Sequence, residues 1–206
     1  MNQDYYITSY CSIRQNRVAF NDSIIFERKT NSFLEFIKAV YKSENTKYPK
    51  FFKMDNLSKL AFMAADIILK NENLDIESDN NIAIVFSNTA ASLDTDRKHQ
   101  ESIQNKDSYY PSPAVFVYTL PNICIGEISI KYKLYSENSF FIFDNFNAAH
   151  LFNYANSLFS SKKAEKILCG WVEFDDDNNF EAFLYLVSKN GTIEHTKQNI
   201  ITLYNT

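Results

Sequence analysis

Hydrophobic and polar positions along the chain follow two periodicities, one typical of strands and the other typical of helices. Runs rich in β-branched and aromatic residues predict strands. They lie at 5–13, 82–87, 139–143, 167–174, 180–188 and 196–204. Apolar residues that recur every three to four positions predict helices. These lie at 32–42, 55–70, 113–134 with a break at Pro121, and 148–159.

The order of these elements predicts an α/β fold, because strands and helices that alternate along a chain usually build a layered, mainly parallel sheet. The short polar turn at 175–179 predicts an antiparallel pair near the end. Asn31 is a candidate amino-terminal cap for the first helix, and Asp55 for the second. The polar segment 88–110 is predicted to be an excursion on the surface. Without an internal repeat or a Pro-, Gly- or Ser-rich linker, residues 1–206 are predicted to form one unit.

Composition and charge exclude several classes of function. The chain is 45% hydrophobic and 16% aromatic, which is sufficient for a substantial core, and its net charge of -4 offers no basic field for nucleic acid or anionic lipid. No run of about 18 apolar residues predicts a membrane span, and the first 13 residues lack the features of a signal peptide. A cytoplasmic location is therefore expected. Cys11, Cys124 and Cys169 lie in apolar surroundings and are expected to be buried, reduced thiols.

Two observations reduce the number of candidate chemical sites. The chain has only three glycines, where average usage would give roughly 14. Glycine-rich loops that bind phosphate and tight catalytic elbows are therefore absent. Asp94, Asp96 and His99 lie close together in the sequence but have no recognised ligand spacing, which favours a solvated loop over a metal site. No cofactor and no metal are expected.

Three stretches carry motifs whose order and spacing are typical of one known family. Lys53-Met54-Asp55 opens an Ala-rich helix, and a strand follows it at 82–86. ILCGWVE, within 167–173, is similar to a strand ending in Gly-Gly-x-Glu, with Trp171 in place of the second Gly. The stretch between them is a helical segment that carries Ser112-Pro113, Thr119, Asn122, Gly126, Tyr132 and Leu134. Together the three stretches resemble the amino-terminal half of β-ketoacyl (3-oxoacyl) synthases of the thiolase-like superfamily, in which that segment precedes the nucleophile strand.

The resemblance implies a thiolase-like half: a mostly parallel five-stranded sheet with an antiparallel final strand and helices on both faces. The family's nucleophilic cysteine aligns with Asn145 when counted from either flanking stretch, and no glycine follows it. A carboxamide is a poor nucleophile, and the family's second half, which supplies two histidines, is not present in this sequence. His150 lies nearby but is expected to be structural. The sequence therefore predicts no catalytic residue and a chain that is not an enzyme by itself.

By the same resemblance, the chain is expected to act as the partner of a full-length ketosynthase, like chain-length-factor subunits that also lack the cysteine. Residues Phe140, Phe141, Ile142 and Phe143 are predicted to form an edge strand that pairs with the partner. Val115, Phe116, Tyr118 and Thr119 are predicted to help shape the partner's acyl pocket. The helix after Asn145 is expected to expose an apolar surface comprising Leu151, Phe152, Tyr154, Leu158 and Phe159.

Two other functions remain open from the sequence. One is a homodimeric module that binds an acyl chain or an acyl carrier protein. The other is a diverged 3-oxoacyl synthase or acyltransferase that uses unconventional residues such as Asn145 with His150. Polyketide, aryl-polyene-type pigment and fatty-acid pathways are all compatible with the pattern.

Overall fold

A computed structural model describes residues 4–72, 74–75 and 77–206. Residues 1–3 lie outside the described residues. They begin the segment that was predicted to lack the features of a signal peptide. The strands are β1 (Tyr6–Arg14), β2 (Arg17–Phe20), β3 (Ser23–Glu27), β4 (Ile82–Asn88), β5 (Asn138–Ile142), β6 (Lys166–Asp176), β7 (Asn179–Ser188) and β8 (Ile193–Glu194). The α-helices are α1 (Phe33–Ser43), α2 (Asn56–Leu69), α3 (Leu93–Ile103), α4 (Pro113–Val117), α5 (Ile123–Tyr132), α6 (Ala148–Ser160) and α7 (Lys197–Asn205). Two 3₁₀ turns cover Pro49–Lys53 and Lys106–Ser108.

The described strands form one sheet in the order β3-β2-β1-β7-β6-β4-β5, and β8 also pairs with β1. Strand β4 is parallel to β5 and β6, whereas β7 is antiparallel to both β6 and β1. Four of the five predicted sheet strands, β1, β4, β5 and β6, therefore run in one direction and β7 runs in the other. The predicted fold class is confirmed. Strands β2, β3 and β8 extend the sheet beyond the five that the resemblance implied.

Helices cover both faces of the sheet, as predicted. One apolar cluster joins α1, α2 and α5 to one face through side chains such as Phe36, Phe62 and Ile128. A second cluster joins α6 and α7 to the opposite face, where Leu151 and Ile200 are buried. Strands β4 and β6 contribute to both clusters, which explains why the sequence of β4 is apolar without alternation. None of the described helices is long and apolar enough to cross a bilayer.

Short-range capping explains where several helices begin. The Asp55 carboxylate accepts a hydrogen bond from the Ser58 backbone N–H at 2.9 Å, which confirms the predicted cap of α2. Asn147 caps α6 by accepting from the His150 N–H at 2.9 Å. The cap of α1 is Ser32, one residue after the predicted Asn31. The predicted break at Pro121 is confirmed, because α4 ends at Val117 and α5 begins at Ile123.

A buried carboxylate joins α2 to α5. Asp66 accepts hydrogen bonds from the hydroxyls of Thr46 at 2.7 Å and Tyr132 at 2.6 Å, and it pairs with the Lys131 ammonium. The Lys131 ammonium also lies 5.0 Å from the ring centre of Phe62. Because buried charges are costly unless they are paired and hydrogen-bonded, this network is expected to fix the two helices against each other.

Two predicted elements differ from the structure. Residues 196–204, predicted as a strand, lie mainly in helix α7, where the Thr196 hydroxyl accepts from the Asn199 N–H at 3.2 Å and Ile200 is buried against α6 and the sheet. Tertiary packing thus overrides the β-propensity of this β-branched segment. The polar excursion predicted at 88–110 contains helix α3, which lies on the surface.

The prediction that α6 exposes an apolar surface is wrong for most of that surface. Leu151, Leu158 and Phe159 are buried, while Phe152 and Tyr154 are half-buried. The helix packs against β4 and β6, α7 packs against it, and the Tyr5 ring stacks on Phe159 at 3.9 Å between ring centres.

Candidate functional site

Asn145 lies in the turn between β5 and α6, at the carboxyl ends of the parallel strands β4 and β5. The Phe143 N–H donates to the Asn88 carbonyl at 2.9 Å, and the Thr89 hydroxyl donates to the Phe143 carbonyl at 2.9 Å. These bonds hold the start of the turn while Asn147 caps the following helix. The Asn145 side chain is exposed at the position that the resemblance assigns to the nucleophile.

An open depression with a volume of about 580 Å³ lies beside this turn. Its lining includes Asn145, Arg97, Trp171, Glu173 and Tyr204. The Glu173 carboxylate accepts from the backbone N–H groups of Thr89 at 2.7 Å and Ala90 at 3.1 Å, while burial raises its pKa. Among the described residues that line the depression there is no cysteine and no histidine. The depression therefore offers no thiolate and no imidazole base.

His150 does not line the depression beside Asn145. Its ring lies 4.4 Å from the ring of Phe141 and 4.8 Å from that of Phe143, measured between centres, and burial lowers the pKa of the imidazole. This aromatic environment is typical of a structural histidine. An acyltransferase that uses Asn145 with His150 stays a prediction without geometric support.

The three cysteines are free and buried, as predicted. Burial raises the pKa of each thiol, to about 12 for Cys169. Since the thiolate is the nucleophilic form, none of the three is a substitute for the missing cysteine. No group of three or more metal-ligating side chains occurs among the described residues, and Asp94 and His99 lie on helix α3.

Strand β5 lies at one end of the sheet and contains Phe140, Phe141 and Ile142, while Phe143 follows its end; pairing of this edge with a partner stays a prediction. The Ile84 N–H donates to the Glu137 carbonyl at 3.0 Å, and Phe143 bonds to Asn88 as described above. Because backbone groups alternate in direction along a strand, residues 139 and 141 point toward β4. The backbone N–H and C=O groups of Asn138, Phe140 and Ile142 then point away from the sheet.

The four predicted pocket residues divide into two pairs. The Phe116 side chain is 60% exposed, and Val115 is half-buried on the same short helix α4. Tyr118 is buried and Thr119 is half-buried, and the side chains of both bond within this chain. Val117 and Leu120, which sequence reasoning missed, are exposed next to Phe116. The sequence did not identify these two residues, because an exposed apolar side chain and a buried one give the same local pattern.

Comparison with solved structures decides the fold. The ishigamide ketosynthase/chain length factor superposes with a TM-score of 0.65 at 16% identity, over 90% of this chain and 62% of that chain. The fold is that of ketosynthases and chain length factors. A chain from the ketosynthase (ApeO) in complex with its chain length factor (ApeC) from Xenorhabdus doucetiae matches with a TM-score of 0.62 at 14% identity. That match covers 98% of this chain and 90% of that chain.

A third matching structure has a longer chain than this protein. A β-ketoacyl synthase from Burkholderia phymatum matches over 91% of this chain but 59% of its own length, with a TM-score of 0.60 and 12% identity. This chain thus spans about three-fifths of the ishigamide and Burkholderia chains. No protein-family model and no curated protein matches the sequence. The thiolase-like half that the sequence predicted is confirmed at the level of the fold.

Proposed function

We propose that this chain is a non-catalytic, chain-length-factor-like subunit that pairs with a full-length ketosynthase and shapes its acyl pocket. The observation that carries the proposal is the match over 98% of this chain and 90% of a chain from a ketosynthase–chain length factor complex. A chain of that complex is therefore nearly as short as this one.

The chemistry at the turn supports the same role. The depression is lined by the Asn145 carboxamide, by carboxylates and by aromatic rings, with no thiol or imidazole among the described lining residues. Covalent acyl transfer needs an activated nucleophile, which a carboxamide cannot supply. Condensation would take place in the partner, and we place the complex in the cytoplasm, where the buried thiols would stay reduced.

Pairing through β5 is favoured over pairing through the opposite edge, β3. Strand β5 reads NSFFI, with no charged residue and no irregularity in its pairing with β4. Strand β3 ends in Glu27, which pairs with Arg17 at 3.0 Å, and its register with β2 is interrupted by a bulge. Charges and bulges are features that protect a sheet edge from unwanted pairing. The unprotected edge is thus β5, where backbone groups of Phe140 and Ile142 are available to a partner strand.

Phe116 would project into the partner's acyl pocket. It is exposed together with Val117 and Leu120, and its ring centre lies 5.3 Å from that of His99. A large ring at the end of a pocket limits the length of the chain that fits there. The product would be a polyketide, a polyene-type pigment or a fatty-acid-type chain.

Co-purification with a ketosynthase encoded next to this chain tests the pairing. Ile142→Lys places a charge on the β5 edge, and Ile24→Lys is the matched control on β3; the two isoleucines are 50% and 61% exposed. We expect Ile142→Lys to weaken the complex at least tenfold and Ile24→Lys to leave it unchanged. Wild-type protein that stays a monodisperse monomer in the presence of ketosynthase and carrier protein would refute the proposal.

Product length tests the second part of the function. Phe116→Ala, assayed with the ketosynthase, carrier protein and malonyl donor, should shift the products to longer chains in mass spectra. Phe52→Ala is the matched control, since Phe52 is 52% exposed on the separate 3₁₀ turn. Unchanged product lengths with Phe116→Ala in an intact complex would exclude a role for this ring in the pocket.

A further inference from the structure

Helix α4, which carries Phe116, is too short to hold its own position. It spans five residues, Pro113–Val117, and none of its side chains is buried. An isolated helix of this length is unstable because the cost of nucleation is not recovered by propagation. The position of the Phe116 ring must therefore depend on contacts made by the residues that flank α4.

A buried carboxylate anchors the residue that follows α4. The Tyr118 hydroxyl donates to Glu127 Oε1 on α5 at 2.8 Å, and both side chains are buried. The Lys50 ammonium lies 2.9 Å from Glu127 Oε2, so the negative charge is compensated from the 3₁₀ turn. Burial and the neighbouring Glu127 raise the pKa of the Tyr118 phenol, which keeps it a hydrogen-bond donor.

A second set of bonds holds the backbone of Phe116 itself. The Thr119 hydroxyl donates to the Phe116 carbonyl at 2.7 Å, and the Thr119 N–H donates to the same oxygen at 3.1 Å. The Thr119 carbonyl in turn accepts from the Ser92 hydroxyl at 2.8 Å, which ties the segment to the start of α3. Two hydrogen bonds from Thr119 thus fix the Phe116 carbonyl, although the Phe116 ring is exposed.

We infer that Tyr118, Thr119 and Glu127 form a clamp that positions the Phe116 ring and thereby sets product length, although none of the three would touch the acyl chain. The clamp follows from the contacts of this chain, whereas its effect on product length rests on the proposed function. Tyr118 and Thr119 are then positioning residues and not part of the pocket lining. A ring held in one place sets a narrow upper limit on product length, whereas a mobile ring allows products of several lengths.

Spin labelling tests the clamp in this chain alone. Because the native thiols are buried with raised pKa values, a label on Phe116→Cys is selective, and a label on Ile130→Cys, exposed on α5, is the control site. Adding Tyr118→Phe should shift the electron paramagnetic resonance spectrum at 116 toward high mobility and leave that at 130 unchanged. Thr119→Val, which removes the hydroxyl, should also raise the mobility at 116. Thr119→Ser, which keeps the hydroxyl, should give the wild-type spectrum. Unchanged mobility at 116 in both variants would overturn the clamp.

Product analysis tests the effect of the clamp on product length. In a folded complex of unchanged affinity, Tyr118→Phe should broaden the products toward longer chains, and it should add nothing to Phe116→Ala in the double variant. Additive shifts, or unchanged products despite a mobile ring, would overturn the link between clamp and product length. If wild-type protein binds no ketosynthase, the proposed function and this link both fail, while the spectra still decide whether the clamp exists.

Discussion

His195 is a buried, neutral histidine whose protonation is expected to destabilise the fold. It is 5% exposed, and burial lowers the pKa of its imidazole from 6.5 to about 4. Neither ring nitrogen has a hydrogen-bond partner among the described residues, and the rings of Phe152 and Tyr185 lie 5.2 and 5.9 Å away. The unfolded chain binds a proton near pH 6.5 and the folded chain only near pH 4. Acidification through this window therefore favours the unfolded chain.

The magnitude follows from the two pKa values. Above about pH 7.5 the imidazole is neutral in both states, so His195 adds no pH dependence there. At pH 5 the difference corresponds to a loss of about 2 kcal/mol in the free energy of unfolding, and it approaches about 3 kcal/mol once both states are protonated. This is a large part of the stability of an ordinary domain, which is about 5–15 kcal/mol.

Urea unfolding at pH 8 and pH 5, followed by the fluorescence of Trp171, measures this loss. The variant His195→Phe keeps a ring of similar size and leaves no hydrogen-bond partner unpaired, because the imidazole has none among the described residues. Between the two pH values, the wild type should lose about 2 kcal/mol more than the variant, while the shared carboxylates cancel in the comparison. Equal losses in the two proteins would refute the burial argument.

Three further predictions concern packing. Asp66→Ala should cost about 3 kcal/mol in urea unfolding, because it leaves the half-buried Lys131 ammonium and the hydroxyls of Thr46 and Tyr132 without their partner. Glu137→Ala, in a surface pair with Lys163, should change stability by under about 1 kcal/mol. Gly170→Ala should destabilise the fold by about 3 kcal/mol or more in thermal unfolding, since the added Cβ would lie 2.1 Å from the Phe183 carbonyl oxygen. In the same thermal unfolding experiment, Gly126→Ala on helix α5 should raise the melting temperature, since its added Cβ would meet no atom within 4 Å. The native thiols should resist a disulfide reagent at pH 8 until urea unfolds the chain, and rapid labelling would contradict their burial.

Local patterns determined the central elements of the fold. Asp55 signals the start of α2 because a cap acts on backbone groups within three residues. The continuous apolar run of β4 signals a strand covered on both faces. Such signals are readable because cause and effect lie close together along the chain. Asn145 was identified differently, through the resemblance to a known family, and the structure places it in the turn between β5 and α6.

Tertiary structure decided the features whose partners are distant in sequence. Residues 197–205 have strand-like composition but form a helix, because Ile200 is buried against α6 and the sheet. Strands β2 and β3 have four and five residues, too few for a clear periodicity. Phe116 and Tyr118 look equivalent in the sequence, yet one is exposed and the other is buried. Tyr118 belongs to the apolar cluster of α1, α2 and α5 and bonds to Glu127 on another helix, and no local pattern of hydrophobic and polar residues encodes these contacts.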